Sequence, residues 1–195
     1  MVLATWCWPN RRANTHVTRD VTEPFDLEHI ALAMAKHGVR CVLIGGASGA
    51  LHGMSDYVTK DVDFLVRADE ENRTRLAAAL RELGVGDDVM ADDLVGNSQW
   101  DTTAGPVDIL VTAAGPNETI FVYTDIIARA EIFEIGDSGV TVATAALDDI
   151  IRMKEAADRF KDHLALPELR RLQGDCHPNR PAPDPFEFDI EDGVD

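Results

Sequence analysis

The chain is 195 residues long, 45% hydrophobic and 27% charged, enough to bury the core of one domain but without the ~18-residue apolar run that a membrane helix needs. A formal net charge of −17 repels polyanions at long range and argues against a broad nucleic-acid-binding surface. Cys7, Cys41 and Cys176 are scattered and lack metal-ligand spacing, and no secretory signal follows Met1, so reduced thiols in a cytoplasmic protein are expected.

Residues 1–22 mix Trp, Pro, Arg and Thr without an apolar period and are expected to form an arm or an edge extension, outside a domain of residues 23–172. Asp26 is a good N-cap, with Phe25 and Ile30 at the positions of a hydrophobic staple. Leu27, Ile30, Ala31, Met34 and Ala35 then recur at helical spacing up to Gly38. Val39 to Ile44 is a β-rich run that breaks at Gly45 and Gly46 into a short helix ending at Gly53. A polar connector leads to a second strand, Lys60 to Val66, and a helix from Asp69 or Glu70 to Gly84 follows.

Val85 to Asn97 is expected to hold a weak strand and a loop, after which Ser98–Thr103 and Pro106–Thr112 form a strand pair joined at Ala104 and Gly105. A helix over Asp125–Ala130 and a strand over Val140–Val142 come next. One long helix is expected from Leu147, with Thr144 as its cap and with Asp148 and Asp149 favoured by the helix dipole. Residues 173–195 are proline-punctuated and acidic, which marks them as a tail.

Chemistry concentrates in Thr59-Lys60-Asp61-Val62-Asp63-Phe64-Leu65-Val66. Strand residues two apart share a face about 6.6 Å apart along the chain, so Asp61 and Asp63 can converge on a cation such as magnesium. A bare Asp-x-Asp is otherwise an ordinary pair of surface acids. Upstream, Ile44-Gly45-Gly46 opens a helix whose free N–H groups can approach phosphate closely. Downstream, Asp108 interrupts the apolar strand Pro106 to Val111, where an unpaired charge is costly. Lys154 shares a helix face with Leu147, Ile150 and Ile151 and so needs a partner; Asp158 at i+4 is one option. His52 reads as structural.

A glycine turn, a spacer, Asp-x-Asp and a third acid together resemble the DNA polymerase beta type nucleotidyltransferase superfamily. The likeness is nearest to the AbiEii-type toxin nucleotidyltransferases and their relatives, and two stretches carry it: Val42 to Gly53 running on to Asp63, and Leu147 to Asp162. The resemblance implies an α+β (mixed α/β) fold, a nucleotidyltransferase-like core with a small mixed sheet flanked by helices and a C-terminal helical segment. It further implies Asp61, Asp63 and Asp108 as ligands of Mg2+ (or Mn2+), Gly45 and Gly46 as the phosphate turn and Lys154 as a nucleotide contact, with Arg159, Lys161 and Asp162 nearby. Many members carry serine where Gly46 stands, so a hydroxyl contact to phosphate would come from Ser48.

The implied activity is transfer of a nucleoside monophosphate from an NTP to an acceptor, in a toxin of a toxin–antitoxin system acting on tRNA or protein and held by an antitoxin partner. Two alternatives stand beside it. One is an aminoglycoside or lincosamide nucleotidyltransferase with a small-molecule acceptor; the other is a non-catalytic NTP-binding or interaction protein of the same fold.

Overall fold

A computed structural model of the chain describes residues 11–12, 25–54, 59–115 and 119–176. Helix α1 (Leu27–Lys36) is capped by Asp26, whose carboxylate accepts from the His29 N–H at 2.9 Å, and it buries Ile30, Ala31, Ala33 and Met34. Strand β2 (Cys41–Ile44) runs straight into α2 (Gly45–Leu51). Strand β3 (Val62–Val66) leads to α3 (Glu70–Glu82), capped by Asp69 through the Asn72 N–H.

Strands β4 (Ser98–Thr102) and β5 (Gly105–Leu110) form a hairpin. A second, two-stranded sheet follows from β6 (Thr112–Ala114) and β7 (Ile120–Val122), and a short helix α4 (Tyr123–Ile127) continues from it. Strands β8 (Glu131–Ile135) and β9 (Val140–Thr144) pair antiparallel, and the chain closes on α5 (Leu147–Ala157) and α6 (Phe160–Cys176). With Arg11–Arg12 as β1, the main sheet has seven strands in the order β1-β4-β5-β3-β2-β9-β8, of mixed direction.

Alternation along the strands gives the sheet two working faces. Val62, Phe64, Val66, Val107 and Ile109 join α1 and α3 in one core, while Val42, Ile44 and Leu65 join α4, α5 and α6 in another. The expected mixed sheet flanked by helices with a helical C-terminal segment is therefore the observed architecture.

Several elements differ from the sequence reading. Residues 85–97 contain turns and a 3-10 helix (Ala91–Leu94) in place of a weak strand; Val85, Val89 and Leu94 enter the core one at a time instead of alternating. Thr144 is not a helix cap: it lies in β9, fully buried, and the residue before α5 is Ala146, which has no side chain to cap with. The single long helix is two, because Asp158 adopts a left-handed conformation (φ 49°) that ends α5.

The expected arm and tail lie outside the described residues except for Arg11–Arg12 in the arm and residues 173–176 of the tail. Arg11–Arg12 pairs in parallel with Gln99–Trp100 and so extends the sheet edge, and α6 runs four residues beyond the expected boundary at 172, to Cys176. Cys7 falls outside as well. Among the described residues no helix is long and apolar enough to cross a membrane.

Candidate active site

The acids meet because of strand register. Strands β3 and β5 run parallel with Asp63 paired to Asp108, β5 and β4 run antiparallel with Asp108 paired to Gln99, and β2 places Ile44 opposite Asp63. One transverse row therefore reads Gln99, Asp108, Asp63, Ile44. Val62, Phe64, Val107, Ile109 and Trp100 all point to the α1/α3 core, so this row faces the α5/α6 side. Asp61, the residue before β3, joins it at the rim of a cavity of about 470 Å³ that Gly45, Gly46, Asp61, Asp63, Asp108 and Gln99 all line.

Gly45 is required by local geometry. Its φ is +69°, and a Cβ placed on it would overlap the Asp63 carboxylate, so only glycine allows the turn to lie against the acid. The helix that follows buries Gly46, Ala47, Ser48 and Gly49. Ser48, expected to supply a hydroxyl to phosphate, has no exposed surface, its Oγ has no hydrogen-bond partner, and it does not line the cavity.

Crowding of negative charge shows in the acidities. Burial, reinforced by the charges of Asp61 and Asp108, pushes the Asp63 carboxyl up to about 7. Burial and the Asp61 charge push Asp108 up to about 6, against a hydrogen bond from Gln99 and the positive charges of Lys161 and Arg159. Asp108 is only 5% exposed, and its Oδ1 has no hydrogen-bond partner. A buried carboxylate oxygen left bare is costly unless something positive meets it.

The opposite wall comes from the break between α5 and α6, where Lys154, Arg159 and Lys161 line the cavity. Asp162, with no exposed surface, anchors this wall: Lys154 Nζ donates to it at 3.2 Å and Arg159 Nε at 2.6 Å. Burial depresses the Lys154 ammonium below its ordinary value even against the attraction of Asp162. Burial alone would raise Asp162, but the Arg159 hydrogen bond and the two cations outweigh it and hold the carboxyl low. The remaining wall is apolar: Ala113, Ala114 and Phe121 of the β6/β7 hairpin face Ile150, Met153 and Ala157 of α5. Arg152 stacks over the Phe121 ring at 5.6 Å.

Of the residues singled out from sequence, Gly45, Gly46, Asp61, Asp63, Asp108, Lys154, Arg159 and Lys161 are thus brought to one cavity, and Ser48 is not. His52 is structural, its Nε2 2.9 Å from the Ala145 carbonyl and its ring edge-on to Phe133. Sequence reasoning missed Asn97, Gln99 and the hairpin wall. Asn97 immediately precedes β4 and Gln99 lies within it, the same two-residue spacing that marked Asp61 and Asp63.

Among the described residues no three His, Cys, Asp or Glu side chains converge into a preformed metal cage. A hard cation of the Mg2+ kind takes few carboxylates and completes its shell with water and phosphate oxygens. The bare Oδ1 of Asp108, the mutual repulsion of three acids and the glycine held against Asp63 all fit such an ion.

A sheet carrying acids on one face, a glycine turn beside them and a helical layer bearing cations opposite defines a nucleotidyltransferase-like fold. No protein-family model matches the sequence, and no curated protein matches it. Among solved structures, the chain is similar to the lincosamide antibiotic adenylyltransferase LnuA, lincomycin-bound, at 15% identity over 75% of this chain and 95% of that one, with a TM-score of 0.51. The antibiotic-resistance factor ANT(2'')-Ia matches at 17% identity over 77% and 82% of the two chains (TM-score 0.44), and an antigenic nucleotidyltransferase-like protein from Paracoccidioides brasiliensis at 16% over 77% and 79% (TM-score 0.42).

Proposed function

We propose that the chain transfers a nucleoside monophosphate from an NTP to an acceptor, with Mg2+ or Mn2+ held by Asp61, Asp63 and Asp108. The observation that carries this reading is the in-register pairing of Asp63 with Asp108 beside Gly45, at the mouth of a cavity with a cationic far wall. The acceptor oxygen forms a bond to the α-phosphorus, the bond from that phosphorus to the bridging oxygen breaks, and pyrophosphate leaves with its electron pair. Asp108, bare at Oδ1, takes the acceptor proton. Backbone N–H groups at Gly45 and Gly46 receive phosphate oxygens, while Lys154, Arg159 and Lys161 offset the triphosphate charge. The apolar wall of Ala113, Phe121 and Met153 excludes water from the nucleoside. The bound divalent cations would supply a more acidic acceptor hydroxyl and neutralise charge on the departing pyrophosphate.

The test is direct: incubate the full chain with NTPs labelled at the α-phosphate and assay label transfer to RNA, protein and small-molecule acceptors. Replacing Asp61 and Asp63 together by Asn should lower transfer by roughly two to three orders of magnitude or more. Undiminished transfer by that variant would sink the assignment.

For the acceptor, two of the three cations that line the cavity among the described residues, Arg159 and Lys154, are engaged with Asp162. With a net charge of −17, this favours a small, cationic acceptor of the antibiotic kind over tRNA. The likeness to LnuA supports the same choice at the level of fold. A toxin acting on tRNA or protein, held by an antitoxin, is the second reading, and label on RNA or on a polypeptide in the same assay would select it.

A further inference from the structure

Resting on the reading of this cavity as a nucleotidyl-transfer site, we infer that Gln99 is a positioning residue that sets the Asp108 carboxylate for a divalent cation. The turn between β4 and β5 consists of Thr103 and Ala104, so Thr102 pairs with Gly105 and the ladder brings Gln99 opposite Asp108. Directly opposed residues on an antiparallel pair have Cβ atoms about 4.5 to 5.5 Å apart, close enough for side chains to touch. Rotation of the strand out of this register is blocked from behind. Ser98 and Trp100 are buried on the other face, with Trp100 Nε1 donating to Ser98 Oγ at 2.9 Å.

Gln99 and Asp108 both line the cavity, the Gln99 carboxamide works against the upward push on the Asp108 carboxyl, and Asp108 Oδ1 keeps no hydrogen-bond partner. The amide opposite the carboxylate thus braces it from the side, while Oδ1 is left buried and without a partner. Amide chemistry suits the position: it donates to a carboxylate and adds no charge where three acids already crowd. An acid there would add repulsion, and an apolar chain would leave the carboxylate free to turn. Asn97, two residues earlier, does not compete, because its own carboxamide is occupied by the backbone of Val111 and Thr112.

The experiment titrates Mn2+ into the full chain by calorimetry, comparing wild type, Gln99→Met, Asp108→Asn and the double variant. Methionine fills the same space and removes the donor. Gln99→Met should weaken Mn2+ binding by roughly tenfold or more, and the loss should vanish when Asp108 is already Asn, since the effect runs through that carboxylate. Its melting temperature in EDTA should match wild type, which a packing role would not predict. Wild-type affinity in Gln99→Met, or an equal loss in both backgrounds, overturns the inference and leaves the nucleotidyl-transfer reading standing. Absence of Mn2+ uptake by the wild type defeats both.

Discussion

Asp162 is a carboxylate with no contact to water that carries two cations, one of them, Lys154, itself buried. Removing one member of a buried pair strands the other, at a cost of about 3 to 5 kcal/mol, whereas an apolar replacement of similar volume can be close to neutral. Asp162→Ala should therefore destabilise the chain by about 3 kcal/mol or more. Lys154→Met should destabilise it far less, because Asp162 keeps Arg159. Urea denaturation of the two variants at pH 7.5 checks the order; the reverse order would mean that Lys154 and not Asp162 organises the wall. The need of Lys154 for a partner was legible from its place on an apolar helix face, but the partner was not. Asp158 at i+4 turns left-handed and pairs with His163 at 2.8 Å, and the chain reversal it creates brings in Asp162 instead.

Elements with strong periodicity and caps, α1 and α3, were legible almost to the residue, since the Asp26 and Asp69 caps and the glycines after each helix are local signals. Elements set by tertiary context were not. Strand β8 is an edge strand with Ile132 exposed, and β6 and β7 have three residues each, too short for a period to show. For β8 a signal did exist: the run Ile132 to Ile135 ends at a turn bounded by Gly136 and Gly139, and its partner β9 begins directly after it.

The hairpin turn was placed one residue late, which would set Asp101 opposite Asp108; the observed turn at Thr103 and Ala104 brings Gln99 there. Where β5 gives way to the β6/β7 hairpin, Asn97 fastens the junction, accepting from the Val111 and Thr112 N–H groups at 2.8 and 3.2 Å and donating to the Thr112 carbonyl at 2.8 Å. Asn97→Ala leaves these backbone groups without their partner and should cost about 1 to 3 kcal/mol. Faster hydrogen exchange should be confined to residues 111–122, and exchange spread evenly over the sheet would contradict a local clamp.

At the scale of the molecule, the site opposes the stability of the fold that builds it. Asp63 and Asp108 have folded-state values of about 7 and about 6, both above their ordinary unfolded value of 3.8. Between those limits the folded state binds more protons than the unfolded one, so stability falls as pH rises. This contribution is fully present below about 4 and lost by about pH 7 to 8. In EDTA, Asp63→Asn should therefore melt higher than wild type at pH 8 and lose that advantage by pH 4. Added Mg2+ should raise the wild-type melting temperature at pH 8 more than at pH 5, beyond any rise from NaCl of equal ionic strength. A pH-independent difference between the two proteins would show that folding does not raise the Asp63 carboxyl.

The sequence disclosed Asp61 and Asp63 on one face, because strand alternation is local, whereas the arrival of Asp108 beside them depends on the register between β3 and β5. It could not disclose which cations stand across the cavity, since these depend on where two helices part.

The transverse row ties together strands that are remote in sequence through nothing more than odd and even positions. Loops on either side can lengthen freely, but a single residue inserted between Pro106 and Asp108 would turn that acid into the hydrophobic layer beneath α3 and bring a valine or an isoleucine to the cavity. Natural variants of this chain should accordingly tolerate insertions in β5 only in pairs, a constraint on length that substitution studies alone would never reveal.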